Sequence, residues 1–133
     1  MLFRSVEFAF TRGMDTLALP VRHGEGKFYA EADTLDTLIG QQLVAMQYAL
    51  PDGQPANGVF PDNPNGSLAD IAAICDPTGR IFGLMPHPEA YNHITNHPDW
   101  TRREAMCKKE GGAESDRTGQ GIQIFKNAVA YFN

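Results

Sequence analysis

The shortages of this 133-residue chain narrow the field before its contents do. It has two cysteines, Cys75 and Cys107, too few and too scattered for a disulfide framework. No apolar run approaches the ~20 residues that a membrane-spanning helix needs. Basic residues are outnumbered, 11 against 16 acidic, for a net charge of −5. No basic patch is interleaved with aromatics, so the sequence carries no nucleic-acid footprint. The opening MLFRSVEFAF has an early Arg4 and a short apolar run, but Glu7 and the lack of an A-x-A-like site argue against a signal peptide. A cytoplasmic protein is the simple expectation. No internal repeat or low-complexity segment appears. The length is that of one domain, able to bury roughly two-thirds of its unfolded surface.

What is present reads as alternating short strands and helices. SVEFAF and TLALPVR have strand character, with Pro20 placing the end of the second near a sheet edge or a site. HGEG, from His23 to Gly26, breaks the pattern as a loop. EADTLDTLIGQQL spaces Leu35, Leu38, Ile39 and Leu43 as a helix does, with acidic residues where the helix dipole favours them. LVAMQYAL predicts a strand, and residues 51–67 a long irregular loop rich in Pro, Gly, Asn and Asp. LADIAAIC and RIFGLMP flank the turn signal DPTG and predict a hairpin. A helix is expected from Asp99 to Lys109 within the polar 91–118 segment. A last helix places Ile122, Phe125, Val129 and Phe132 on one face, which predicts core packing for that stripe. Strands outnumber helices, and β-α-β units are too few for a complete doubly wound domain.

The chemistry concentrates in GLMPHPE, Gly83 to Glu89. Two prolines stiffen the segment and push Met85 and His87 toward extended backbone. Extended backbone puts residues i and i+2 on one side, so His87 and Glu89 are expected side by side. A carboxylate beside an imidazole fixes its tautomer and raises its basicity, as in a nucleophilic triad. From the residues alone, a loop histidine bonded to its neighbour is the commoner reading, since short H-x-E pairs are frequent.

The motifs PVRHGEGKF, NPNGS.ADIA.IC, GR.FGLMPHPE and the closing G..IF.N.V.YF resemble the glutaminase part of phosphoribosylformylglycinamidine synthases. The likeness runs from about Phe10 to Phe132. It implies a flavodoxin-like α/β fold of the class I glutamine amidotransferases, with a mixed sheet containing the hairpin, and a Cys-His-Glu triad to which His87 and Glu89 correspond. It also implies glutamine as substrate, and delivery of ammonia to a synthetase partner, in purine biosynthesis, that carries the ATP and magnesium. No cofactor or metal is implied for this chain itself. Backbone around His23 and Gly24 would lie by the glutamine pocket. The family usually has Arg after the triad Glu, where this chain has Ala90.

The family's nucleophile sits in a G-x-C-N-G turn ahead of HGEG, and no such turn occurs here, nor the backbone donors of an oxyanion hole beside it. Residues 1–133 therefore read as the C-terminal half of the domain. Cys75, in the apolar IAAIC, is expected to be a buried core thiol. Cys107, flanked by Lys108 and Lys109, is expected to be an exposed, modifiable one. His93 and His97, four apart, could be imagined as metal ligands with His87 and Glu89, but Pro98 and the lack of a completing ligand disfavour this. NPNGS reads equally as a capped turn or as surface facing the synthetase. A half-domain would expose an unpaired strand edge and the faces of TLALPV and LVAMQYAL, so homo-oligomers are expected. The alternative to an enzyme part is a non-catalytic piece that docks on the synthetase or on a separate N-terminal half.

Overall fold

The computed structural model describes residues 2–5, 8–22, 24–111 and 117–133. Five strands form one sheet: β1 (Leu2–Ser5), β2 (Thr16–Ala18), β3 (Val44–Ala49), β4 (Ile71–Cys75) and β5 (Phe82–Leu84), in the order β2-β1-β3-β4-β5. Three helices accompany it: α1 (Ala32–Gly40), α2 (Trp100–Lys109) and α3 (Ile122–Phe132). The arrangement is α/β, as expected, but among the described residues the sheet is not mixed. All four pairings are antiparallel. The topology explains the difference. β2 and β3 run the same way and are joined through α1, as in a β-α-β unit, but β1 lies between them and opposes both.

The hairpin forms where DPTG places it. Cys75 faces Phe82 across the ladder, and Gly79 donates its amide to the Asp76 carbonyl at 2.9 Å. Asp at the first turn position, Pro at the second and Gly79 at φ +69° are the residues that a tight turn of this kind favours. The Asp76 carboxylate accepts from the amides of Thr78, Arg80 and Ile81 and from the Thr78 hydroxyl. These bonds, the hydroxyl's foremost, lower its pKa to about 2.

The core is built on β3 and β4, with Ala45, Met46, Tyr48, Ala49, Ile71, Ala72, Ala73 and Cys75 all buried. Leu17, Leu19 and Leu43 join them. Burial on these two strands does not alternate, because both faces are covered, which is why they read as continuous apolar runs. The faces of TLALPV and LVAMQYAL that were expected to lie bare are thus largely internal.

Two further expectations are corrected. The first described strand lies at Leu2–Ser5; of SVEFAF, Val6 and Glu7 lie outside the described residues, and residues 8–10 lead into a turn held by the Thr11 hydroxyl accepting from the Phe8 amide at 2.9 Å. α1 buries none of its residues fully, and its Ile39 is exposed. The stripe Ile122, Phe125, Val129 and Phe132 is not core: Phe125, Val129 and Phe132 are exposed and the buried side chain of α3 is Ile124. The helix is rotated by a polar anchor. The Asn127 amide donates to the carbonyls of Phe10 at 3.0 Å and Arg12 at 2.9 Å, which turns the Gly121-Ile124-Asn127-Ala128 face inward. Phe132 still meets the Phe10 ring edge-on, and Phe10 stacks on Phe82. Among the described residues no helix is long and apolar enough to cross a membrane.

Candidate functional site

His87 and Glu89 lie together beyond the end of β5. The His87 Nδ1 to Glu89 Oε1 distance is 2.7 Å, with the imidazole half-buried and the carboxylate exposed. The adjacency is achieved differently from the extended segment that the prolines suggest. His87 caps a 3-10 turn, Pro88–Ala90, at φ −110° and ψ 84°, and the Ala90 amide donates to the His87 carbonyl at 3.1 Å. Pro88 opens that turn, where its fixed φ suits it. The turn curls Glu89 back over the histidine.

Each side of the pair has a backbone support. The Met85 amide still bonds to the Ala72 carbonyl at 2.9 Å, extending the ladder of β5 past its end. The His87 amide donates to the Pro20 carbonyl at 3.0 Å, so the residue just past β2 holds the histidine. A carboxylate only accepts, so Nδ1 carries the proton toward Glu89 and the lone pair falls on Nε2. The Glu89 carboxyl is held below its usual range, first by the bond from His87, with Arg22 contributing at longer reach. An ionised Glu89 can orient and stabilise an imidazolium, which is the arrangement general base catalysis needs.

The other sequence-derived sites separate. His23 lies outside the described residues. Gly24 is exposed in the HGEG loop, four residues past Pro20. Beside Pro20 a hollow of about 320 Å³ is lined by Ala18, Leu19, Tyr91, Asn96 and His97. Cys75 is buried on β4, where desolvation pushes its thiol pKa up and Asp76 adds to the shift. It has none of the features of an activated nucleophile. Cys107 is half-buried on α2 rather than exposed. His93 and His97 are engaged in local turns: His93 Nδ1 meets the Thr95 hydroxyl at 2.9 Å, and His97 Nδ1 accepts from the Asp99 amide at 3.0 Å. Burial lowers the His97 pKa.

NPNGS turns inward. Asn63 and Ser67 are buried; the Asn63 amide donates to the Ser67 carbonyl and to Asp70, each at 2.9 Å, and the Ser67 hydroxyl accepts from the Phe28 amide at 3.0 Å. Buried Asp70, unnoticed in the sequence, also accepts from the amides of Asn57 at 2.7 Å and Gly58 at 2.8 Å. It ties the long loop to the start of β4. Its only sequence signal was a lone acid beside an apolar strand.

Residues 4–132 match the family described as the CobB/CobQ-like glutamine amidotransferase domain. The chain is similar to the protein named phosphoribosylformylglycinamidine synthase subunit PurQ of Methanococcus maripaludis strain S2, 44% identical over 124 residues, which are 93% of this chain and 46% of that one. The protein of the same name from Dehalococcoides mccartyi is 42% identical over 122 residues, 92% of this chain and 42% of that one. That from Treponema denticola is 39% identical over 116 residues, 84% and 38%. The chain spans less than half the length of these curated relatives.

Proposed function

Since the chain belongs to the CobB/CobQ-like glutamine amidotransferase domain family, we propose that it supplies the acid–base half of a glutaminase site. In this reading it is the part of a phosphoribosylformylglycinamidine synthase glutaminase that carries the triad His87 and Glu89. The observation that carries the reading is the 2.7 Å bond between His87 Nδ1 and Glu89 Oε1, on a turn held in place by backbone. The completed domain would be flavodoxin-like.

His87 Nε2 takes the proton of a cysteine thiol contributed by the nucleophile-bearing half of the domain. The thiolate attacks the side-chain amide carbon of glutamine, and the imidazolium returns its proton to the departing nitrogen as ammonia forms. Water then cleaves the thioester by the same base, releasing glutamate. Glu89 keeps the ring in one tautomer throughout and stabilises its charge. No metal takes part in these steps. ATP and magnesium belong to the synthetase partner, which uses the ammonia to amidate formylglycinamide ribonucleotide. The hollow beside Pro20 and the backbone near His23 and Gly24 are the places for the amino-acid end of glutamine.

Neither cysteine here is suited to be the nucleophile, since Cys75 is buried with a raised pKa and Cys107 lies on α2. The purified 133-residue chain should therefore release no ammonia from glutamine by itself. Mixed with a polypeptide bearing the G-x-C-N-G half, it should restore release, and His87→Ala should abolish it. Restored release that is indifferent to His87→Ala would favour the non-catalytic docking reading instead.

A further inference from the structure

We infer that the turn Gly119-Gln120-Gly121 is a positioning clamp for the His87–Glu89 pair, holding the Pro88–Ala90 turn against the end of β2. Three contacts carry this. The Gly119 amide donates to the Asn92 carbonyl at 3.1 Å and the Gly121 amide to the Tyr91 carbonyl at 3.0 Å. The Gln120 Oε1 accepts from the Ala18 amide at 3.0 Å, on the outer edge of β2. Two residues beyond Ala18 stands Pro20, whose carbonyl holds the His87 amide. One short turn thus grips both the segment after Glu89 and the strand that supports His87.

The glycines are needed for space and not for backbone conformation. Gly121 has φ −60° and ψ −30°, ordinary helical values open to any residue. Yet a Cβ there would overlap the Pro88 carbonyl oxygen and lie 2.8 Å from that of Tyr91. A Cβ on Gly119 would overlap the Tyr91 carbonyl, 2.7 Å from its carbon. Alanine adopts such dihedrals without strain. Its exclusion here marks a close approach of two backbones, one of which carries the proposed base and acid.

The catalytic weight of the clamp rests on the glutaminase reading, but its geometry does not. The test uses the full 133-residue chain with Gly121→Ala, Gln120→Leu and Gln120→Glu, and Asn127→Ala as a control that loosens α3 at its other anchor. NMR follows the His87 Nδ1 proton and the titration of the Glu89 carboxyl. Gly121→Ala and Gln120→Leu should broaden or remove the Nδ1 proton signal and raise the Glu89 midpoint toward its ordinary value. Gln120→Glu, which keeps an acceptor for Ala18, should restore both, and Asn127→Ala should change neither despite a lower Tm. Should Gly121→Ala fail to fold, the Gln120 variants on the exposed side of the turn carry the test. In the reconstituted enzyme the same two disruptive variants should lower kcat about 10- to 100-fold with KM nearly unchanged. An unchanged Nδ1 proton and Glu89 midpoint in folded Gln120→Leu would overturn the clamp, whatever happens to ammonia release. Loss of activity on His87→Ala tests the glutaminase reading separately.

Discussion

Two segments rich in Pro, Asn and polar side chains sit on either side of the β4–β5 hairpin, and they are built for opposite ends. Before β4, Asn63, Ser67 and Asp70 are buried and bond to one another and to backbone amides. After β5, His87 and Glu89 are accessible and share one strong bond, and backbone hydrogen bonds help fix where they stand. A buried polar group must be satisfied or it costs stability, so the first segment is committed to holding the loop. An ionisable pair at the surface costs little to keep and can still exchange protons, so the second is available for chemistry. Similar composition thus serves the fold in one place and a reaction in the other, and burial decides which.

The sharpest way to break that contrast is His87→Ala. Ammonia release by the reconstituted enzyme should fall roughly 10³-fold or more, while chemical denaturation should register a change of no more than about 0.5 kcal/mol. A large stability loss would place the pair in the same class as the Asp70 network. The reciprocal change, Asp70→Ala, removes the acceptor of the Asn57 and Gly58 amides and one of the bonds of the Asn63 side chain. It should cost about 3 kcal/mol, read as a lowered urea midpoint. Asp70→Asn, which keeps an acceptor and tolerates the left-handed backbone (φ +57°), should lose less.

Smaller effects sharpen the picture. Cys75→Ala should cost about 1 kcal/mol for the small buried volume it removes and leave reconstituted ammonia release unchanged. In the native chain a thiol reagent should label Cys107 well before Cys75, as mass mapping of the adducts would reveal. The smallest effect concerns the hairpin. The folded Asp76 pKa, about 2 against an ordinary 3.8, makes its turn bonds fully stabilising above pH 4. They are lost as pH falls through about 2. Asp76→Asn should flatten that part of a stability–pH curve, measured by thermal melts between pH 2 and 5, and leave the rest unchanged.

Several features were legible because their causes are local. DPTG places the hairpin through the φ of Pro77 and Gly79, and α2 and α3 begin or end within a residue or so of where their patterns predict. His87 and Glu89 were legible as a pair, although the turn that joins them is a 3-10 turn and not an extended segment. The rotation of α3 was misread because hydrophobic spacing cannot register Asn127, whose partners Phe10 and Arg12 lie more than a hundred residues away in sequence. Asp70 escaped notice because a single acid looks the same whether it faces water or three converging donors.

By itself, the sequence determined the family motifs, the order of strands and helices and the chemistry available at positions 87 and 89, since each follows from a residue and its near neighbours. Only the tertiary structure decided that every strand pairing is antiparallel, that β1 enters between β2 and β3, and that Asp70 is internal. It alone brought Gly119, Gln120 and Gly121 against Ala18 and the Pro88–Asn92 backbone. The physical reason is distance along the chain. A contact between residues a hundred positions apart leaves no periodicity and no local preference behind it. It exists only once packing has set which backbone may approach which, and how closely.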